Sequence, residues 1–441
     1  MFNLQEASER EFATPAEIMA TQQQLVCEHV RYLREISPYY RSVLSVLSDT
    51  ALSHLTLAQL SALPLTSKQD IEANPSAFWC CPESDIIDIC QTSGTTGTPV
   101  TIPLTAHDLE RLAFNEALTF QRLNISANDR VLVAVAIERC FMAGLAYYLG
   151  AQKIGATALR GGSSNTGHLV QLVKQYRPDY IIGVPSLIAE LGKRLLAENI
   201  NPASLNIKGF ICIGEPVRAS DLSLLPLASR LSELWNAPVF GTYASTEMAT
   251  AFTDCLHGCG GHINTELIAV EILNEQGEPL PSGVPGEVVV TPLQVRGMPL
   301  LRYQTGDIAY IIDEPCPCGR TSPRLSPVLG RKSQRMKVKG TSVYPSAVLA
   351  LLQSLAGIEN FCLEVYEESQ LSDRLCVLYS TMRDDLTPQQ VAQHLSAALR
   401  FTPEVCRVPC AELEQKMHPP GKRKKITFFD YRTTKEKEHQ P

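Results

Sequence analysis

Residues 91–100, "QTSGTTGTPV", set Gly94 and Gly97 among the hydroxyl side chains Thr92, Ser93, Thr95 and Thr96. Successive backbone amides in such a run can point into one concavity and bind an anion, so the chemistry suggested is a grip on polyphosphate. A loose Gly/Ser/Thr linker has the same composition. A P-loop would need Gly-Lys-[Ser/Thr], but Gly97 is followed by Thr98 and Pro99, so a phosphate-binding lysine must come from elsewhere. Four more stretches suit parts of a nucleotide. "FICIGEPV" ends an apolar run at Gly214-Glu215-Pro216, where Glu215 could accept from an adenine amino group. "VFGTYASTEMA" offers Tyr243 as a flat stacking surface, then Ala244 and Ser245, Thr246 as a hydroxyl donor and Glu247 as a hard oxygen ligand for Mg²⁺. Capping of a following helix is the other role open to Glu247. "LRYQTGDIAYI" puts Asp307 in a glycine turn between strands, either an ordinary hairpin or a chelator of a ribose diol. "PPGKRKKITFFD" supplies Lys422 as a mobile cation behind a glycine, or else a solvated basic run.

Two further clusters are dense in soft ligands. "DCLHGCGGH" contains Cys255, His257, Cys259 and His262, and "EPCPCGRT" contains Cys316 and Cys318. Thiolates and imidazole in two knuckle-like clusters suit tetrahedral Zn²⁺, and the expected ligands are Cys255, His262, Cys316 and Cys318, with Cys259 and His257 as substitutes. With all four positions filled by protein, such a site is structural rather than hydrolytic.

The elements that must hold these residues follow from the apolar pattern. "EIMATQQQLVCEHVRYLREIS" has helical spacing and opens a helical N-terminal segment of about residues 15–75. Strand-like runs then alternate with helix-length segments from "RVLVAVAI" to "DLSLLPLASRLSELW", the rhythm of an α/β fold with parallel sheets. Residues 263–330, with "AVEIL", "GEVVVTP" and "DIAYII" between Gly/Pro turns, suggest a small antiparallel or barrel-like sheet. Beyond "GRKSQRMKVKG" a small α+β domain is expected, so that the chain divides into 1–330 and 331–441. The 441 residues are 44% hydrophobic, enough for a large core, and the net charge of −7 gives no field to gather nucleic acid or an anionic membrane. No apolar run approaches a membrane span, no h-region opens the chain, and fourteen cysteines without a secretory signal fit a reducing compartment. The expectation is a cytoplasmic protein with small-molecule partners.

Taken in order, "TSGTTGTP", "GEP", "YASTE", "YQTGD", "GRKSQRMKVKG" and "GKRKK" resemble the adenylate-forming superfamily of acyl-CoA synthetases, adenylation domains and luciferases. Within it the chain is most similar to the phenylacetate:CoA ligase family, which shares stretches like "SPYYRSVL" and "LPLTSKQDI". The resemblance spans nearly the whole chain and implies a large N-terminal domain with a mobile C-terminal lid. It implies an enzyme that activates an aryl or similar carboxylic acid as acyl-AMP, releases pyrophosphate and transfers the acyl group to CoA. By that resemblance the loop from Thr92 to Gly97 holds the β- and γ-phosphates, Glu247 binds Mg²⁺ and Thr246 meets the α-phosphate. Asp307 and Arg331 hold the ribose, Tyr243 and Glu215 the adenine, and Lys422 arrives with the lid for the first half-reaction. Some relatives carry structural zinc in the region of the cysteine clusters, and relatives are often homodimers.

The chain departs from the family pattern at Thr98 and Val100, where many relatives have a lysine, and at the hinge position, Ser333. Two other readings therefore stand beside the ligase. One is an adenylyltransferase resembling coenzyme F390 synthetases, or an enzyme loading a carrier protein; the other is a non-catalytic nucleotide-binding accessory protein.

Overall fold

The computed structural model describes residues 2–48, 50, 52, 55–92, 99–369, 372–419 and 425–432. Its contacts divide the chain into two units, Met1–Thr305 with Ala309–Val328, and Gly306–Ile308 with Leu329–Pro441.

The first unit begins with helices Leu4–Arg10, Pro15–Ile36 and Pro38–Val43. The long one starts where Thr14 and Glu17 form a reciprocal capping box ahead of Pro15, and it buries Val26, Val30 and Leu33. Next comes a hairpin of β1 (Ile86–Gln91) and β2 (Thr101–Thr105), paired antiparallel with Gln91 opposite Thr101. The Ala106–Arg122 helix follows directly.

The parallel centre expected from the alternating pattern is formed by β3 (Arg130–Ala134), β4 (Thr157–Arg160), β5 (Tyr180–Gly183), β6 (Gly209–Cys212) and β7 (Val239–Ser245), in spatial order β4-β3-β5-β6-β7. Alternate residues enter different cores, as a period of two demands. Leu132, Ile181, Phe210 and Val239 join one cluster, and Val131, Ile182, Ile211 and Phe240 the other. Both faces are covered by helices, which explains why these strands read as nearly continuous apolar runs.

Beyond β7 the sheet turns antiparallel through β8 (Thr250–Thr253), β9 (Gly261–His262), β14 (Arg324–Leu325) and β13 (Ile311–Ile312), giving nine strands. Between β9 and β13 in sequence, β10 (Ile268–Leu273), β11 (Gly286–Pro292) and β12 (Tyr303–Ala309) belong to a separate sheet. The stretch "DIAYII" is thus not one strand. It breaks at Tyr310, whose N–H donates to Ser326 Oγ at 3.0 Å, and passes from the separate sheet into the nine-stranded one.

In the second unit, Asp307 and Ile308 pair with β15 (Gly330–Arg331), and a hairpin of β16 (Met336–Val338) and β17 (Thr341–Val343) follows. A four-stranded sheet then has order β20-β19-β18-β21, from β18 (Asn360–Ser369), β19 (Ser372–Ser380), β20 (Glu404–Arg407) and β21 (Phe428–Asp430). Helices Pro345–Ser354 and Pro388–Leu399 supply Val348, Leu352, Val391 and Leu395 to its core. The change of unit falls at Val328–Leu329. Among the described residues no helix is long and apolar enough to cross a membrane.

Candidate functional site

The carboxyl ends of parallel strands are where ligands bind in open α/β sheets, and two motifs lie there. β6 runs out into Gly214, whose φ of +74° is costly for any residue with a Cβ, then Glu215 and Pro216. Glu215 is already engaged: its carboxylate accepts from Ser186 Oγ at 2.7 Å and from Ser186 N at 3.0 Å, at the start of the Pro185–Ala197 helix. β7 ends with Tyr243, Ala244 and Ser245, and Thr246–Ala249 makes a tight turn straight into β8. No helix follows Glu247, so helix capping is not its role. Tyr243 pairs in register with Phe252 and stacks on it, ring centroids 5.9 Å apart and planes within 18°. Glu247 Oε1 accepts from Tyr303 OH at 3.3 Å.

The stem of the Gly/Ser/Thr loop is closed. Thr92 N donates to Val100 O at 3.0 Å, and Val100 N donates to Thr92 Oγ1 at 2.9 Å. Ser93, Gly94, Thr95, Thr96, Gly97 and Thr98 lie outside the described residues, as does Lys422. Val100 is 2% exposed within the main apolar cluster, which gives a packing reason for an apolar side chain there.

In the second unit, Asp307 and Arg331 face each other across the β12–β15 pairing and form an ion pair, Nε to Oδ1 3.1 Å. Ser333 lies in the short turn Lys332–Gln334 just after β15, and its carbonyl accepts from Arg432 at 3.4 Å.

Cys255, His262, Cys316 and Cys318 present ligand atoms all within 4.8 Å of one another. Cys255 Sγ is 3.6 Å from Cys316 Sγ, and Cys318 Sγ is 3.5 Å from His262 Nε2. A tetrahedral ion with Zn–S near 2.3 Å and Zn–N near 2.05 Å would set S···S at about 3.8 Å and S···N at about 3.6 Å, so the donor set fits zinc. The scaffold is duplicated: Gly258 N donates to Cys255 O and Gly319 N to Cys316 O, both at 2.9 Å, with both glycines at positive φ. His262 Nδ1 is 3.2 Å from Ser322 Oγ, a contact that can fix the tautomer leaving Nε2 free to ligate. Burial, reinforced by Arg122, Arg320 and Arg324, pushes His262 down to about 2, which keeps the imidazole neutral. Cys259 and His257 are outside this group; Cys259 Sγ turns to His257 O.

The second knuckle also carries the N-terminal segment. Arg320 Nε donates to Glu11 Oε2 at 2.5 Å, and Glu11 pairs as well with buried Arg122. Thr321 N donates to Glu11 O at 3.0 Å, and the Arg320 guanidinium lies 5.1 Å from the Phe12 ring centroid.

Residues 25–296, more than half of the chain, match the family described as AMP-binding enzyme. The chain belongs to the AMP-binding enzyme family. It is similar to a phenylacetate-coenzyme A ligase from Thermus thermophilus, 28% identical over 344 residues that cover 77% of this chain and 76% of the relative. A phenylacetate-coenzyme A ligase from Escherichia coli is 25% identical and covers 96% of this chain and 97% of itself. Among solved structures, a 2-hydroxyisobutyryl-CoA ligase in its postadenylation state, in complex with R3-HIB-AMP, superposes with TM-score 0.82 at 22% identity, covering 97% of this chain and 92% of its own. That likeness shows that the two chains share a fold.

Sequence reasoning passed over one part of this AMP-binding enzyme. The Ala106–Arg122 helix, behind β8, buries a row of polar side chains. Arg111 is 1% exposed and hydrogen-bonds to β8 and its neighbours. Asn264 Nδ2 donates to Asn115 Oδ1 at 2.6 Å, and Asn115 Nδ2 donates to Glu116 Oε1 at 2.8 Å. Glu116 Oε2 has no partner among the described residues, and burial pushes the carboxyl up to about 7. Gly150 packs so closely here that a Cβ would come within 2.4 Å of Glu116 Cβ. The signal in the sequence was five charged residues, Asp108, Glu110, Arg111, Glu116 and Arg122, in a helix that opens with a Thr105–Asp108 capping box; all but Glu110 are buried.

Proposed function

We propose that the chain is an ATP-dependent carboxylic acid:CoA ligase that activates an aryl or similar acid as acyl-AMP, releases pyrophosphate and transfers the acyl group to the CoA thiol. The observation that carries this is the grouping of Gly214–Pro216 and Tyr243–Glu247 at the carboxyl ends of adjacent parallel strands β6 and β7. Family membership and the full-length likeness to coenzyme A ligases support it.

The chemistry asks for charge neutralisation, because a carboxylate must attack the α-phosphate although both are anions. In this reading the Thr92–Gly97 loop grips the β- and γ-phosphates, Thr246 donates to the α-phosphate, and Lys422 supplies a cation there. Glu247 would hold Mg²⁺, which when bound screens the phosphate charge. Tyr243 gives the adenine a stacking face whose angle Phe252 fixes, and Asp307 with Arg331 binds the ribose. Cys255, His262, Cys316 and Cys318 would hold Zn²⁺, tying the loop after β8 to the segment between β13 and β14.

The test is pyrophosphate release measured over a panel of aromatic, aliphatic and amino acids, followed by mass spectrometry with CoA present. Acid-dependent pyrophosphate release and an acyl-CoA mass are expected. Release without a thioester points to an adenylyltransferase or a carrier-protein substrate. ATP binding with no release for any acid refutes the ligase.

A further inference from the structure

Arg111 is a buried cation with no carboxylate partner among the described residues. Its Nε donates to Leu293 O at 2.7 Å, Nη1 to Ala249 O at 2.5 Å, and Nη2 to Thr250 Oγ1 at 2.9 Å and Leu267 O at 2.5 Å. Asp108, whose charge favours the guanidinium without forming an ion pair with it, is occupied by Thr105, Arg296 N and Gly297 N. An unpaired buried guanidinium is unfavourable to maintain, so its acceptors are informative. Two of the four belong to the residues that end the Thr246–Ala249 turn and begin β8.

That turn holds itself weakly. Its internal bonds, Ala249 N to Thr246 O and Met248 N to Ser245 Oγ, are both 3.3 Å, at the long end of the range. Ala249 has φ of +47°, a conformation that crowds its Cβ. Arg111 grips the Ala249 carbonyl, while Thr250 Oγ1 accepts from Arg111 and donates to Met248 O at 3.0 Å. Arg111, Thr246, Glu247 and Ala249 also line one small cavity.

We infer that Arg111 is a positioning residue, locking the Thr246–Ala249 turn so that Glu247 is held ready to ligate a divalent cation. This rests on the assignment of Glu247 as the magnesium ligand. A planar fork with donors in several directions can span these acceptors; a lysine ammonium cannot reach all of them.

The experiment measures, by calorimetry, how much Mg²⁺ strengthens ATP binding in wild type, Arg111→Met, Arg111→Lys, Thr250→Val and Glu247→Gln. Arg111→Met should cut the Mg²⁺-dependent gain by about tenfold, the scale for residues that orient metal ligands, with Arg111→Lys between it and wild type. Thr250→Val removes one of the four bonds with little change of volume and should cut the gain by about threefold, a readout that survives if Arg111→Met does not fold. Binding of metal-free ATP should be retained in Arg111→Met and Thr250→Val, weakened by about threefold or less because Thr246 lies on the same turn, whereas a general loss of structure would abolish it. A wild-type gain in Arg111→Met, or in Thr250→Val should Arg111→Met not fold, with the gain lost in Glu247→Gln, overturns the inference. If Glu247→Gln keeps the gain, the magnesium assignment fails and the inference with it. The ligase reading is judged separately, by acid-dependent pyrophosphate release from wild type.

Discussion

Replacing Glu116 with glutamine should remove a pH dependence from the stability of the first unit. Burial pushes the carboxyl from 4.5 up to about 7, with partial opposition from Asn115 and Arg122. Below pH 4.5 the group is protonated folded or unfolded and contributes no slope. Between 4.5 and 7 the folded chain keeps a proton that the unfolded chain releases, so stability falls as pH rises, by about 1.4 kcal/mol per unit, and levels off above 7. The total is roughly 3 kcal/mol over that window. Glutamine keeps an acceptor for Asn115 and does not titrate, so Glu116→Gln should gain on wild type by roughly this amount between pH 5 and pH 8. Both tryptophans of the chain, Trp79 and Trp235, lie in the first unit, so their fluorescence during urea unfolding reports that unit without the second. A stability difference between the two proteins that stays constant from pH 5 to pH 8 would refute the reasoning.

Other outcomes are open to simple assays. Lys422→Ala should lower acid-dependent pyrophosphate release by about 10²- to 10³-fold, the usual effect of losing one group that stabilises transition-state charge; unchanged turnover removes Lys422 from the first half-reaction. Metal analysis should find zinc in wild type and Cys259→Ser but not in Cys316→Ser, and the latter should lose about 4 kcal/mol or more of stability. Zinc retained in Cys316→Ser would break the ligand assignment. Ala249→Gly should be neutral or stabilising by up to about 1 kcal/mol because of its positive φ, whereas Ala251→Gly inside β8 should cost about 1 kcal/mol; thermal unfolding distinguishes them.

The parallel sheet was legible because its strands are covered on both faces and therefore read as short apolar runs between turn residues. The motif residues were legible for a related reason: Gly214 marks a strand end that needs positive φ, and the glycines of the two knuckles mark tight turns around thiols. Tertiary context decided the rest. Glu247 sits in a hairpin because β8 returns along β7, which the local sequence "STEMAT" does not announce. "DIAYII" has the pattern of one strand, but Tyr310 is where two sheets exchange the chain. Arg111, Asn115, Glu116 and Arg122 look like a solvated helix face; they are buried because β8, Asn264 and the N-terminal segment close over them.

The contact between Glu11 and Arg320 joins positions 309 residues apart. During synthesis at about 5 to 20 residues per second, Glu11 leaves the ribosome about 15 to 60 s before its partner exists. Through that interval Glu11 can meet only one of its two arginines, Arg122, while the long helix carries an apolar face that includes Val26, Val30 and Leu33. Such a surface invites chaperone capture or premature association, and the segment can reach its final place only after the second cysteine knuckle has been made. Glu11 can therefore complete its two ion pairs only after Arg320 has been made, 309 residues later.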